Sequence, residues 1–460
     1  MTILPRSPVA HALGEALGGT PFARSTWVVG GAVRDAWLGR EREGDTDVVT
    51  ESPLDDLLRA LNAKGWPTVA RYPRFGTAAL RIAETTVEVV QARAESYVPD
   101  SRKPDVRPAT LREDLLRRDF TINTLTQDLA TGEVRDVLGS AFGDLEARLL
   151  RTPLDPVRTF EDDPLRLLRA VRFRAELDFD YAPGLAAAAK ASADRLAIVS
   201  AERIRDEFVR MLVSPNAARA LSDLVEFGLM SWIVPELLEG IGCSQGDYHH
   251  LDVFGHTLAV VQAAPPNRRL RLAALLHDIA KPTCRSVDAD GRIRFFGHER
   301  VGADVARCRM RELRFSDAEI EGVVLLVRNH MRIGSFERFT PSAARRLLRD
   351  LGPSWPALLD LSAADQAAHR PGSPRANLDE IRTALLDAER VTPPTALVSP
   401  LDGEQIQRVL GLEPGPEIGL AKRFLEEEVI EGRLAAGDEE AAATLLIEKF
   451  RSSGKNGASS

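Results

Sequence analysis

Two aspartates and a glutamate have the types and spacing needed to hold divalent metal ions. Asp45 and Asp47 flank Thr46 in the segment DTDVVT, whose apolar, β-branched residues predict a strand. Alternate strand residues share one face, where two carboxylates repel each other unless a cation lies between them. Glu88, within a second predicted strand, TVEVVQA, is a candidate third ligand. Three carboxylates on neighbouring strands could hold two Mg²⁺ ions for in-line phosphoryl transfer, although an Asp-x-Asp pair also occurs on solvated strand edges.

A glycine pair and an arginine precede these carboxylates. Gly30 and Gly31 follow the apolar run TWVV and precede a helix-like segment that contains Arg34. Backbone N–H groups at a helix start can bind phosphate, and glycine allows a close approach. The segment lacks both the third glycine of a dinucleotide-binding turn and the Gly-Lys-Ser/Thr sequence of a Walker loop, so neither motif is predicted.

Two further segments carry residues suited to a nucleotide. In LRRDFTIN, Arg118 can bind phosphate oxygens in a bidentate manner, and Asp119 can accept a hydrogen bond from a ribose hydroxyl. The segment EDDPLRLLRAVRFRAEL repeats charged residues at intervals of three, which one helix would place along a stripe. These residues are Asp163, Arg166, Arg169 and Arg172. A carboxylate and a guanidinium one turn apart match the donors and acceptors of a base edge, and a solvated stripe of salt bridges is the alternative.

Histidines concentrate in one part of the chain. Seven of the eight lie between His249 and His369. His277 adjoins Asp278 in the apolar segment LRLAALLHDIAKP, where burying a nitrogen and an oxygen ligand would be costly without a partner. Neutral imidazoles with carboxylates suit Mn, Ni, Fe or Mg rather than a thiolate-preferring metal. Hydrogen-bonded core histidines are the alternative, and His249, His250 and His369 receive no assignment.

The predicted secondary structure that positions these residues changes from mixed strands and helices to helices alone along the chain. Residues 1–150 alternate short β-rich runs with helical stretches, whereas apolar residues recur at helical spacing from about residue 153. A chain of 460 residues is too long for one core. We predict divisions at 1–150, 151–242, 243–390 and 391–450, with a disordered tail over 451–460. The predicted fold class is α+β, an α/β head followed by an elongated all-helical body.

Composition excludes several classes of protein. No apolar run reaches transmembrane length, and the first residues lack the basic and apolar regions of a secretion signal. Three scattered cysteines form neither a disulfide framework nor a CxxC zinc site, which favours a cytoplasmic location. The net charge of −8 argues against a protein that coats nucleic acid without specificity. It leaves open an enzyme with a local basic surface.

Taken in order, the motifs resemble those of class II tRNA nucleotidyltransferases, the CCA-adding enzymes, and their bacterial poly(A) polymerase relatives. The matching segments are GGAVRD, DTD, RRDFTIN, EDDPLRLLRAVRF, AERIRDEFVRML and GLEPGPEIGLAKRFLEEEVIEGRL. The resemblance implies a polymerase β-like head with a small mixed sheet, a helical neck at 151–242 for nucleotide selection and RNA binding, and a tRNA-binding tail at 391–450. It also implies CCA addition to tRNA from CTP and ATP, with release of pyrophosphate. No membrane and no protein partner is implied.

The resemblance assigns roles residue by residue. Asp45 and Asp47 would bind Mg²⁺, with Glu88 as the third catalytic carboxylate. The residues that contact the triphosphate, ribose or base would be Gly31, Arg34, Arg118, Asp119, Asp163, Arg166, Arg169 and Arg172. Within this set, Asp163 and Arg166 would read the Watson–Crick edge of the incoming base.

The histidine-rich segment resembles the HD phosphohydrolase superfamily. Its metal ligands would be His256, His277, Asp278 and Asp365, and His298 and His330 match positions where some members bind a second metal. In nucleotidyltransferases that carry it, this domain implies a phosphodiesterase activity on cyclic phosphates and related ends. Its cofactor would be a divalent transition metal or Mg²⁺.

Several alternatives stay open. The enzyme could add only A or only CC, although residues 95–114 match the flexible loop that family members use when adding A, which disfavours CC alone. A poly(A) polymerase is disfavoured by the HD domain and the GPEIG segment. An HD phosphohydrolase with an inactive head is disfavoured by the three head carboxylates. A non-catalytic RNA-binding protein would bind tRNA without changing its length.

Overall fold

The computed structural model describes residues 2–40, 46–82, 85–96, 105–246, 250–334 and 339–453. The chain divides into two compact units, Met1–Leu238 and Glu239–Ser460. The finer predicted divisions within both units stay predictions. Asp45, His249 and residues 97–104 of the predicted loop lie outside the described residues.

A mixed sheet of eight strands forms the centre of the first unit. The strands of the chain are β1 (Thr2–Ile3), β2 (Thr26–Val29), β3 (Asp47–Thr50), β4 (Thr68–Tyr72), β5 (Thr77–Ile82), β6 (Thr85–Gln91), β7 (Arg93–Ser96), β8 (Asp105–Pro108), β9 (Leu125–Asp128), β10 (Glu133–Asp136), β11 (Leu149–Leu150), β12 (Asp180–Tyr181), β13 (Ser286–Val287) and β14 (Ile293–Arg294). The sheet order is β1-β10-β9-β2-β3-β6-β5-β4. In the described sheet, β3 and β6 pair in parallel and the other neighbours are antiparallel.

The parallel pair sets the register of two predicted catalytic residues. Asp47 of β3 lies opposite Glu88 of β6. Partner residues on adjacent strands point to the same face, so both carboxylates lie on one side of the sheet. Val48, Val87 and Val89 alternate with them and are buried on the other face. This alternation explains why each strand carries a carboxylate between apolar neighbours.

Helices of the first unit follow and flank the sheet. They are α1 (Pro8–Leu17), α2 (Gly31–Trp37), α3 (Leu54–Asn62), α4 (Leu111–Leu116), α5 (Ala141–Glu146), α6 (Pro156–Asp162), α7 (Leu165–Leu177), α8 (Leu185–Ala191), α9 (Ala201–Leu212) and α10 (Ala217–Glu226). The prediction of one helix through Asp163 is wrong, because α6 ends before this residue and α7 begins after Pro164. Proline lacks an N–H group and disfavours helical conformation in the residue before it. Asp163 therefore lies at a break, with extended backbone.

The second unit is helical apart from one short hairpin, β13–β14, in its described residues. Its helices are α11 (Val253–Ala263), α12 (Arg268–Leu276), α13 (His298–Glu312), α14 (Asp317–Asn329), α15 (Pro341–Leu351), α16 (Trp355–Ala368), α17 (Leu378–Val391), α18 (Gly403–Leu410), α19 (Pro416–Glu431) and α20 (Glu439–Ser453). Helix α11 packs against α12 and α16, and α12 packs against α14. Residues 451–453 of the predicted tail belong to α20. No described helix combines the length and apolarity needed to cross a membrane.

Candidate active site and metal centre

A cavity of about 440 Å³ in the first unit joins the sheet to α7 and α9. Its wall consists of Val29, Asp47, Val48, Glu88, Val90, Arg93, Arg117, Arg118, Asp119, Asp163, Leu165, Arg166, Arg169 and Arg203. Ligand pockets of this size hold small molecules. The wall combines carboxylates that can hold cations with guanidinium groups that can bind phosphate, which is the donor set for a metal-bound nucleotide.

Gly30 leaves space beside both the Arg118 guanidinium and the Asp47 carboxylate. The glycine follows β2 and has a φ of +80°. A Cβ at this position would lie 3.1 Å from an Arg118 terminal nitrogen and 3.4 Å from Asp47 Oδ2. The absence of a side chain thus leaves space next to a guanidinium and a carboxylate that both belong to the cavity wall.

We expect Gly30→Ala to lower nucleotide transfer by about 10- to 100-fold. The added methyl group strains a backbone with positive φ and crowds the terminal nitrogen of Arg118, and each tenfold loss corresponds to about 1.4 kcal/mol. Steady-state incorporation kinetics measure the effect. Gly39→Ala is the matched control, because Gly39 also has a positive φ but its Cβ would meet nothing within 4 Å. Equal losses in both variants would contradict a specific role for the space at Gly30.

Arg34 is buried in a polar network that leads to Asp119. Its Nε donates to Asp35 Oδ1 at 2.8 Å, and a terminal nitrogen donates to Asn123 Oδ1 at 2.6 Å. Asn123 in turn donates to Asp119 Oδ1 at 2.9 Å. The guanidinium carbon also lies 5.0 Å from the centre of the Phe173 ring. This arrangement supports the position of Asp119 at the cavity wall.

Both carboxylate oxygens of Asp119 accept hydrogen bonds. Arg169 Nε donates to Oδ2 at 2.7 Å, and Asn123 and the Phe120 amide donate to Oδ1. Burial alone would raise the pKa of Asp119, but the charge of Arg169 and these hydrogen bonds outweigh burial and hold the pKa below its usual range. Asp119 is therefore ionised at neutral pH and fixes Arg169 at the wall.

We expect Arg169→Met to lower the free energy of unfolding by about 2 to 3 kcal/mol at neutral pH, because it leaves a buried carboxylate without its guanidinium. The folded pKa of Asp119 is lowered, so the pair stabilises the fold above the unfolded pKa near 4 and loses this contribution as pH falls. The difference between the variant and the wild type should shrink progressively as the pH falls below about 5. Denaturant unfolding at several pH values measures it, and a difference independent of pH would contradict the assignment.

Arg166 and Arg172 of α7 have different partners. Arg166 lines the cavity and donates to the backbone carbonyls of Thr159 and Arg117, at 3.3 and 2.5 Å. Arg172 is 2% exposed, and its Nε lies 2.6 Å from Glu207 Oε2 of α9. Arg172 thus anchors α7 to α9, whereas Arg166 is held rigidly at the cavity.

In the second unit, four imidazoles converge on the Asp278 carboxylate, just after α12. Asp278 Oδ2 lies 3.0 Å from His277 Nε2 and 3.6 Å from His256 Nε2. The other oxygen, Oδ1, lies 3.3 Å from His298 Nε2 and 3.6 Å from His330 Nε2. Because each oxygen faces a different pair of imidazoles, Asp278 has the position of a carboxylate that bridges two ion sites.

Asp365 of α16 adds a second carboxylate on one side of this cluster. Its Oδ1 lies 2.9 Å from His256 Nε2 and 3.9 Å from His277 Nε2. His369, which received no assignment from the sequence, has its Nε2 3.4 Å from the same oxygen. Among the described residues, three overlapping groups could each hold an ion, namely His256, His277 and Asp278; His256, Asp365 and His369; and Asp278, His298 and His330.

Backbone carbonyls orient three of the imidazoles toward Asp278. The Nδ1 atoms of His277, His298 and His330 lie 2.7 to 2.8 Å from the carbonyl oxygens three residues earlier. When Nδ1–H donates to a carbonyl, Nε2 keeps its lone pair for a metal. Burial lowers the pKa of His256 and His330, which favours the neutral, metal-binding form, whereas at His277 burial is outweighed by the charge of Asp278, which raises the pKa of that imidazole. The donor set therefore fits a divalent cation.

Three family descriptions match successive parts of the chain. "Poly A polymerase head domain" matches residues 26–151, "Probable RNA and SrmB- binding site of polymerase A" matches 178–240, and "HD domain" matches 248–367. A CC-adding tRNA nucleotidyltransferase of Thermus thermophilus is 36% identical over 92% of this chain and 93% of its own length. The chain belongs to the tRNA nucleotidyltransferase family.

A second relative and a solved structure support the family and the fold of this tRNA nucleotidyltransferase. An A-adding tRNA nucleotidyltransferase of Deinococcus radiodurans is 34% identical over 88% of this chain and 92% of its own length. The crystal structure of Bacillus stearothermophilus CCA-adding enzyme in complex with CTP shares the fold, with a TM-score of 0.72 at 24% identity over 98% of this chain and 100% of that chain. The predicted family, fold class and enzyme class are confirmed.

Most of the predicted head residues of this tRNA nucleotidyltransferase share the cavity. These are Asp47, Glu88, Arg118, Asp119, Asp163, Arg166 and Arg169. Gly31, Arg34 and Arg172 are not among the described residues of its wall. Asp45 lies outside the described part of the chain. The roles assigned to all of these residues stay predictions.

Sequence reasoning missed three arginines of the cavity wall, namely Arg93, Arg117 and Arg203. Arg117 adjoins Arg118 in the LRRDFTIN segment, and Arg203 lies in the segment AERIRDEFVRML. Both segments carry the family resemblance, so these two arginines could have been proposed from the sequence. Arg93 follows a strand without any motif of its own, and only the fold places it at the cavity.

Two residues of the metal centre were also missed. Lys281 Nζ lies 2.7 Å from Asp278 Oδ2, and His369 contacts Asp365. Each lies three or four residues after the carboxylate that it contacts, a spacing that brings side chains together along a helical turn. This spacing is the signal that could have identified them.

Proposed function

We propose that this tRNA nucleotidyltransferase adds C and A to tRNA 3′ ends from CTP and ATP, without a nucleic-acid template. The observation that carries the proposal is one cavity that contains both the carboxylates Asp47 and Glu88 and the pair Asp163 and Arg166. A nucleotide bound across it would have its α-phosphate at the carboxylates and its base at the start of α7.

The carboxylates and Arg118 of the cavity have different roles in the proposed reaction. Mg²⁺ held by Asp47, Glu88 and Asp45 would stabilise charge on the attacking and leaving oxygens. Arg118, beside Gly30, binds the triphosphate. The tRNA 3′-hydroxyl attacks the α-phosphorus, a phosphodiester bond forms, and pyrophosphate leaves from the opposite side.

Selection of the base falls to Asp163 and Arg166. Asp163 offers carboxylate acceptors and Arg166 offers guanidinium donors, which together match a Watson–Crick edge. The Leu165 amide donates to Asp163 Oδ1 at 3.2 Å, and two backbone carbonyls hold Arg166. Because both side chains are fixed by the backbone, protein groups take the place of a template.

A second candidate is an enzyme that performs one part of CCA addition. The two relatives with near-complete coverage are named as CC-adding and A-adding enzymes, at similar identities of 36% and 34%. The length of residues 95–114 favours an enzyme that adds A over one that adds only CC.

Incorporation assays on tRNAs of defined length test these candidates. Transcripts that end before CC, after C, after CC and after CCA receive labelled CTP or ATP with Mg²⁺. CTP incorporation on the first two and ATP incorporation after CC would support full CCA addition. Only one of these reactions would indicate a partial enzyme, and long A tails on unrelated RNA would indicate a poly(A) polymerase. No incorporation on any transcript would overturn the proposal.

We also propose that the second unit hydrolyses phosphate esters, including cyclic phosphates at RNA ends. Support comes from the two ligand groups that share Asp278 and from the three imidazoles whose Nδ1 atoms face backbone carbonyls. Hydrolysis of 2′,3′-cyclic AMP after chelation and addition of Mn, Ni, Fe or Mg tests the activity. Absence of hydrolysis with all four metals would overturn it.

A further inference from the structure

Tyr72 is an exposed aromatic residue on the sheet face that carries Asp47 and Glu88. It lies opposite Thr77 of β5, and Thr77 lies opposite Val90 of β6. Val90 lines the cavity and is two residues from Glu88, so it shares that face. Because partner residues point to one side, Tyr72 lies on the face where the cavity opens. It is 53% exposed on β4, an edge of the described sheet.

The strand order places Tyr72 away from the triphosphate-binding end. Gly30 and Arg118 lie beside Asp47 where β2 ends, and the sheet continues from β3 through β6 and β5 to β4. In an in-line displacement, the attacking and leaving oxygens lie on opposite sides of phosphorus. With pyrophosphate at Arg118, the 3′-hydroxyl must approach from the β6–β5–β4 side. Strands are spaced by about 4.8 Å, so β4 lies only about 10 Å from β6.

Arg93 and a second aromatic residue connect this edge with the cavity. Phe75, in the turn after β4, is 37% exposed. Arg93 lines the cavity and donates hydrogen bonds to the Phe75 carbonyl and, at 3.3 Å, to Thr77 Oγ1. A guanidinium between exposed rings and a phosphate-binding cavity is the combination that single-stranded nucleic acid requires, since cations meet the backbone and rings stack on bases.

We propose that Tyr72 and Phe75 form a stacking surface for the unpaired 3′-terminal bases of the acceptor RNA. The inference rests on the proposed function, since it assumes that pyrophosphate leaves beside Arg118. Stacking on an aromatic ring tolerates any base, which suits an acceptor whose terminal base changes after each addition. The rings act on the RNA, whereas the base of the incoming nucleotide lies at Asp163 and Arg166.

Steady-state kinetics of the full chain distinguish an effect on the acceptor RNA from an effect on the incoming nucleotide. We expect Tyr72→Ala to raise the KM for tRNA lacking CCA by about 10-fold and to leave the KM for CTP within about twofold. Tyr72→Phe should behave as wild type because it keeps the ring. In a direct binding assay, tRNA with a terminal 2-aminopurine should lose fluorescence on binding wild type and Tyr72→Phe, and lose less on binding Tyr72→Ala.

Ile3→Ala is the matched control, because Ile3 is 64% exposed on β1, the opposite edge of the same sheet. An unchanged tRNA KM in Tyr72→Ala, or an equal rise in Ile3→Ala, would overturn the stacking surface. A rise in the CTP KM alone would place Tyr72 at the nucleotide and would also overturn it. A wild-type chain without incorporation would overturn the proposed function, while the fluorescence assay, which needs only binding, would still decide on Tyr72.

Discussion

Asp47→Asn should reduce nucleotide incorporation by about 10³-fold or more, while hydrolysis of cyclic phosphates by the second unit stays unchanged. The carboxylate lies opposite Glu88 on a parallel strand and faces the cavity. An amide keeps the shape of the side chain but removes the negative charge that a divalent cation requires. The loss of several kcal/mol of transition-state stabilisation corresponds to this decrease in rate. Single-turnover incorporation of labelled CTP into tRNA measures it.

Two further variants make this test specific. Glu88→Gln should cause a loss of the same order, because its carboxylate shares the site. Glu133→Gln on β10 is the matched control, since Glu133 lies in the same sheet, pairs with Arg135 at 2.7 Å and is not part of the cavity wall. Full activity in Glu88→Gln, or equal losses in all three variants, would contradict the assignment of the carboxylates.

The pairing of Asp47 with Glu88 shows what local patterns can predict. Alternation of apolar and polar residues identifies both strands and the face of each carboxylate. The register between them depends on a crossover through α3, β4 and β5, and on the burial of Val48, Val87 and Val89 on the other face. Such nonlocal packing is absent from any single segment, so the strands were predictable and their exact pairing was not.

The arginines of α7 show a second limit. A spacing of three residues predicts that Arg166, Arg169 and Arg172 lie along one side of a helix, and it does not say what each one meets. Arg172 pairs with Glu207 because α9 packs against α7, whereas Arg166 lines the cavity. The partner of a charged residue is set by a distant helix, which periodicity within one segment cannot reveal.

The metal centre was more predictable than the cavity because its residues are chemically unusual. A histidine next to an aspartate in an apolar segment would be costly to bury without a partner, and the resemblance supplied the four predicted ligands. The structure adds the arrangement within the cluster, in which each Asp278 oxygen faces a different pair of imidazoles. This pairing of imidazoles with oxygens depends on how α11, α13 and the end of α14 pack around α12.

Asp278→Asn should weaken both ion sites of the second unit, whereas Asp365→Asn should weaken only one. Asp278 contacts all four imidazoles, whereas Asp365 contacts His256, His277 and His369. Loss of a charged ligand from each site should reduce phosphodiester hydrolysis by about 10³-fold or more, with nucleotide incorporation unchanged. Titration calorimetry with Mn²⁺ should show a lower ion stoichiometry in Asp278→Asn than in Asp365→Asn.

The matched control for this pair is His250→Gln, which changes an exposed histidine of the same unit that belongs to none of the three ligand groups. It should bind Mn²⁺ as the wild type does. Asp278→Asn also removes the charge that pairs with buried Lys281, so unfolding is measured alongside to separate metal loss from instability. If a folded Asp278→Asn variant binds as many ions as the wild type, Asp278 does not bridge two sites. If it loses no more ions than Asp365→Asn does, Asp278 does not serve a second ion site.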